Sequence, residues 1–147
     1  MDLRDTIEML VATEPFEQLL LARARPIVAH AGTGEDFVVA GLATALDATV
    51  LAVAPGPREA EALAADLEAF LGSEHVALLP AWEALPYEGI SPAPEVAARR
   101  AAAIARLREA KGAFVLVTPV LAAMQGVIPT LGVTPSIQLV AGLELPP

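Results

Sequence analysis

The hydrophobic positions of this chain fall into two kinds of stretch that follow one another along the sequence. In one kind, apolar side chains recur every three or four residues, as Phe16, Leu19 and Leu20 do, and this spacing predicts a helix. In the other kind, a short apolar run contains many β-branched residues and is bounded by glycine or proline, which predicts a strand. The predicted helices are 15–23, 34–46, 56–72, 94–112 and 120–125, and the predicted strands are 26–31, 48–55, 75–80 and 113–119, with a final extended piece at 136–145.

Strands that alternate with helices and are apolar almost throughout are typical of a parallel sheet covered on both faces. We therefore predict a three-layer α/β fold. Residues 1–14 are predicted to be an N-terminal lead-in and residues 15–134 the α/β domain. Residues 135–147 are predicted to begin a strand that leads to a missing following domain. If that strand is exposed, it favours self-association through a sheet edge.

The turn between the first predicted strand and its helix has the outline of a phosphate-binding loop. The pattern G-x-x-x-x-G-K-[ST] can be laid over 29–36, with Gly34 as its second glycine. Glu35 and Asp36 then stand where lysine and serine or threonine belong. The candidate loop consists of Gly32, Thr33, Gly34, Glu35 and Asp36.

The two acids decide how this loop is interpreted. At ~4 Å and an effective dielectric of ~20, a charge pair is worth roughly 4 kcal/mol, so exchanging attraction for repulsion changes binding by about 8 kcal/mol. Micromolar affinity itself corresponds to only ~8 kcal/mol. Acids in a first helical turn also satisfy free N–H groups and the positive end of the helix dipole. We expect a vestigial loop with no bound cofactor. A functional loop, with Asp36 touching magnesium, is the alternative.

Two other glycine-rich sites fit the loop less well. The dinucleotide fingerprint G-x-G-x-x-G would use Gly32 and Gly34, but Phe37 occupies its third glycine position. That fingerprint also needs an acid after the second strand, where this sequence reads "VAPG". A loop that binds S-adenosylmethionine usually needs the same acid.

Composition narrows the class of protein. The chain has 147 residues, a mean hydropathy of +0.57 and no cysteine. No uninterrupted apolar run reaches the ~18 residues of a membrane span, and the first ten residues carry acids where an export signal would carry bases. We expect a cytoplasmic protein. With 9 basic and 18 acidic residues, its net charge of −9 disfavours binding to nucleic acid.

A long signature follows the third predicted strand. The stretch 79–100 reads "LPAWEALPYEGISPAPEVAARR" and holds the only Trp and the only Tyr. It closely resembles the N-terminal region of the bacterial transcription-repair coupling factor family, whose run is LPxWExLPYExxSPxPEVxxxR. "FVLVTPVLAAMQ", at 114–125, is similar to the next strand and helix of that family. The matching positions in the signature are Leu79, Pro80, Trp82, Glu83, Leu85, Pro86, Tyr87, Glu88, Ser91, Pro92, Pro94, Glu95, Val96 and Arg100.

The resemblance implies a function as well as a fold. The family's first module is similar to the helicase-like excinuclease B subunit, with a decayed nucleotide loop. The full-length family member is an ATP-dependent DNA translocase that displaces stalled RNA polymerase, and its ATP and Mg sites lie in motor domains much further along. The excinuclease A subunit binds a domain inserted after the first α/β segment. For this chain the resemblance implies a non-catalytic scaffold segment of transcription-coupled nucleotide excision repair. An active nucleotide-binding or helicase-type domain is the alternative.

The signature also suggests structural roles for several residues. Trp82 and Tyr87 could stack on unpaired bases, but prolines and glutamates surround them, which favours packing of the loop against the sheet. Arg100 falls on the apolar stripe of its helix and is predicted to point inward, paired with Glu83 or Glu88.

The other two arginines singled out in this helix and the two histidines do not predict a catalytic or metal site. Arg99 and Arg106 fall on another face of the same helix, where they are solvated or meet DNA or a neighbouring domain in the complete protein. His30 and His75 have no Cys or second His near them in the sequence, so no metal site is predicted.

Overall fold

A computed structural model describes residues 3–22, 24, 26–83 and 93–127 of the chain. Within them the strands are β1 (Thr49–Ala54), β2 (Val76–Leu78) and β3 (Phe114–Pro119). A single 3₁₀ turn, Ser73–His75, precedes β2. The helices are α1 (Leu3–Val11), α2 (Glu14–Ala22), α3 (Glu35–Leu46), α4 (Pro57–Leu71), α5 (Pro94–Glu109) and α6 (Val120–Met124).

The three strands form one parallel sheet with the order β1-β3-β2. β1 pairs with β3 from Thr49 opposite Phe114 to Ala54 opposite Pro119, and β2 pairs with the other edge of β3. All six residues of β3 are buried, as expected for the central strand of a covered sheet. The predicted α/β class with a parallel sheet is confirmed.

Helices cover the two faces of the sheet unequally. On one face, α3 and α4 pack over the strands and α1 packs on these two helices, and the core there includes Leu67 and Val115, both fully buried. On the other face, α5 packs over β2 and β3, where Ile104 meets Leu116. The outer side chains of β1 on this second face, Leu51 and Val53, are 58% and 49% exposed. The second face is therefore covered only in part.

The stretch predicted as a lead-in contains α1, which belongs to the core. Ile7 is 2% exposed and packs with the residues of α3 and α4. α2 adds Phe16, whose ring lies where a side chain on Gly41 of α3 would have to go: a Cβ at Gly41 would lie 2.9 Å from two atoms of that ring. Gly41 therefore allows the N-terminal helices to approach α3 closely.

The strand predicted at 26–31 is wrong. These residues have no regular secondary structure, and Ile27 and Val28 are 43% and 93% exposed. An apolar run forms a strand only where a neighbouring strand accepts its backbone hydrogen bonds, and no described strand lies beside this one. The other three predicted strands and all five predicted helices are present. The extended piece at 136–145 lies outside the described residues.

Candidate functional site

The loop with the outline of a phosphate site is a tight turn that runs into α3. The Gly34 N–H donates to the carbonyl of Ala31 at 3.1 Å, and Gly32 adopts φ 61°, a left-handed conformation that favours glycine. Helix α3 then begins at Glu35, and the Val38 N–H bonds back to the Gly34 carbonyl. A glycine turn therefore leads into a helix here, without the strand that precedes a phosphate-binding loop.

An acidic cleft of about 280 Å³ lies beside this turn. Its lining joins the start of α3 to the first half of α4, and Gly32 and Thr33 form one wall. Among the described residues that line it, the charged side chains are all carboxylates. They are Glu35, Asp36, Glu59 and Asp66.

The acids act on the helix ends through charge. Gly34 is the N-cap of α3 and has no side chain with which to bond the free N–H groups of the helix. Glu35 and Asp36 lie in the first turn, where a negative charge favours the positive end of the dipole. At α4, a Cβ built on Gly56 would lie 2.7 Å from Oε2 of Glu59, so this carboxylate sits against the first turn of the helix.

A phosphate group placed at the turn would meet this negative field. Each carboxylate near ~4 Å would contribute repulsion on the order of 4 kcal/mol at an effective dielectric of ~20, before screening by solvent. The dinucleotide alternative fails on packing as well. Phe37, at the position of its third glycine, has its ring centroid 5.5 Å from that of Phe70 in the core.

The second cluster of interacting residues lies after β2, at the start of the 79–100 signature. Arg100 of α5 is 1% exposed and points inward, as its position on the apolar stripe of the helix predicts. One of its terminal nitrogens, Nη1, donates to the carbonyl of Pro80, and the guanidinium carbon lies 4.6 Å from the centroid of the Trp82 ring. Burial lowers the pKa of the Arg100 guanidinium from its ordinary value.

The predicted pairing of Arg100 with Glu83 does not appear. Glu83 is exposed, and within the described residues Arg100 is held by the Pro80 carbonyl and the Trp82 ring. A backbone carbonyl and an aromatic face accept a cation at lower desolvation cost than a second buried ion would. Glu88, the other predicted partner, and Tyr87 lie outside the described residues.

Two further residues, which the sequence did not single out, fix the same loop. The Gln125 side chain accepts from the Trp82 N–H at 2.7 Å and donates to the Trp82 carbonyl at 3.3 Å. The Thr118 hydroxyl of β3 donates to the Leu79 carbonyl at 3.1 Å. Both residues are far from the loop in sequence and have no periodic pattern that links them to it. Trp82 is half-buried and is contacted by Arg100 of α5 and by Gln125 at the end of α6, while Thr118 of β3 holds the neighbouring Leu79.

The other arginines singled out in α5 differ in their surroundings. Arg106 donates from Nη2 to the Ser73 carbonyl, and its guanidinium carbon lies 5.9 Å from the Phe114 ring centroid. Arg106 therefore joins α5 to the turn before β2 and is not simply solvated. Arg99 is exposed at the N-terminal half of α5.

The histidines form no metal centre in the described part of the chain. Nδ1 of His75 forms a hydrogen bond of 2.8 Å with the Ala113 carbonyl oxygen. His30 is exposed, on the segment before the Gly32–Gly34 turn. Over the described ranges, no group of three or more His, Asp or Glu side chains could hold a metal ion. Those ranges also contain no helix with the length and apolar character needed to cross a membrane.

Comparison with known proteins gives consistent matches. The chain is 34% identical to the transcription-repair-coupling factor of Mycobacterium bovis over 149 aligned residues, which cover 95% of this chain and 12% of the relative. The protein of the same name from Mycobacterium tuberculosis matches equally. That of Myxococcus xanthus is 36% identical over 104 residues, covering 67% of this chain and 9% of the relative. The chain thus spans about an eighth of the length of the first two relatives.

No protein-family model matches the chain.

Proposed function

Because the chain belongs to the transcription-repair-coupling factor family, we propose that it is a non-catalytic N-terminal scaffold segment acting in transcription-coupled nucleotide excision repair. In this role the α/β unit neither binds nor hydrolyses a nucleotide. It uses no ATP and no magnesium of its own. Its contribution is a rigid fold on which other parts of the longer protein are built.

The observation that carries the proposal is the acidic cleft beside the Gly32–Gly34 turn. A phosphate loop works because backbone N–H groups and a lysine surround the phosphates with positive potential. Here carboxylates from two helices line the same place, with Glu35 at the position of the lysine. The turn is therefore lined by negative charge where nucleotide binding requires positive charge.

The loop held by Arg100, Thr118 and Gln125 supports the scaffold role. Each of these side chains forms a hydrogen bond with the chain's own backbone, at Leu79, Pro80 or Trp82. Groups used in this way stabilise a loop rather than bind a substrate. The family signature at 79–100 therefore reads, in its described part, as a structural element.

The activity of the longer protein is part of the same proposal. Its motor domains would supply ATP-dependent translocation on DNA and would displace a stalled RNA polymerase. A domain that follows this α/β segment would bind the excinuclease A subunit. Repair of transcribed DNA would place the whole protein in the cytoplasm with the transcription machinery.

Phosphate release from ATP tests the absence of catalysis. The purified chain is incubated with Mg-ATP, with and without DNA, and free phosphate is followed. We expect no release above the rate without protein. Release that rises with chain concentration and disappears in Gly34→Glu would instead assign an active nucleotide-binding domain.

A further inference from the structure

We draw no further inference here: the strongest candidate, the cavity of about 300 Å³ at the carboxyl ends of the three strands, where Trp82, Glu83 and Arg99 join apolar walls, adjoins 84–92, which lies outside the described residues, so nothing in the structure shows what fills it.

Discussion

The guanidinium of Arg100 lies over the indole ring of Trp82, with 4.6 Å between the guanidinium carbon and the ring centroid. Arg100 also donates to the Pro80 carbonyl, two residues before that ring in the chain. One buried cation of α5 thereby fixes both the backbone and the aromatic side chain of the loop after β2. The loop is thus held to α5 without an ion pair to any described residue.

Replacing Arg100 should therefore cost far more than replacing its neighbour. Arg100→Ala removes a charged hydrogen bond, worth roughly 1.5 to 3 kcal/mol, and the contact with Trp82, so we expect a loss of about 3 kcal/mol in the free energy of unfolding. Urea denaturation followed by Trp82 fluorescence measures it. The exposed Arg99→Ala is the matched control and should change stability by less than about 0.5 kcal/mol. Equal losses would mean that the contacts of Arg100 do not hold the loop.

Gln125 should contribute by holding the backbone of Trp82 from the other side. Gln125→Ala leaves the Trp82 N–H and carbonyl without their described partner, and we expect destabilisation of about 1 kcal/mol. Gln18→Ala is the control because its only described bond is a long, exposed one to Glu14. Thermal or urea unfolding measures the loss of stability in both variants. We expect the loss in Gln125→Ala to be larger than that in Gln18→Ala, and equal losses would contradict this role of Gln125.

Sequence periodicity predicted the elements of this fold more completely than it predicted their contacts. It located the three strands and five helices because burial dictates their apolar spacing. It failed at 26–31, whose apolar run has no described strand beside it, and it did not anticipate that α1 carries Ile7 into the core. Arg100 was placed correctly by its stripe, but the Pro80 carbonyl and Gln125 were missed. Contacts across long sequence distances leave no periodic signal.

Replacing Gly41 by alanine should lower the stability of the fold. Gly41→Ala adds a Cβ that would lie 2.9 Å from the Phe16 ring, so the helices must separate or the ring must move. Alanine is intrinsically better in a helix by about 1 kcal/mol, while overpacking costs about 1 to 3 kcal/mol. We expect a net loss of about 1 kcal/mol by chemical denaturation. At Gly126, where an added Cβ has no atom within 4 Å, the same change serves as the control. A stabilised Gly41→Ala would contradict this packing.

The isolated chain should bind neither duplex DNA nor the excinuclease A subunit. Its net charge of −9 opposes DNA, and Arg100 and Arg106 are engaged with the carbonyls of Pro80 and Ser73. The function proposed above assigns the excinuclease A contact to a domain other than this α/β unit. A mobility shift near ~0.15 M salt and a pull-down with purified excinuclease A check both expectations. Strong binding of either would assign this α/β unit a recognition surface of its own.

Calorimetry with Mg-ATP tests the central claim, that the acidic cleft beside the Gly32–Gly34 turn excludes nucleotide. The same titration of a chain carrying Glu35→Lys and Asp36→Thr shows whether the turn itself keeps its shape for phosphate, in which case the variant gains binding. For the unaltered chain we predict no heat of binding at any accessible ATP concentration. A dissociation constant of about 50 µM or tighter, or roughly 6 kcal/mol of binding free energy, would contradict the account.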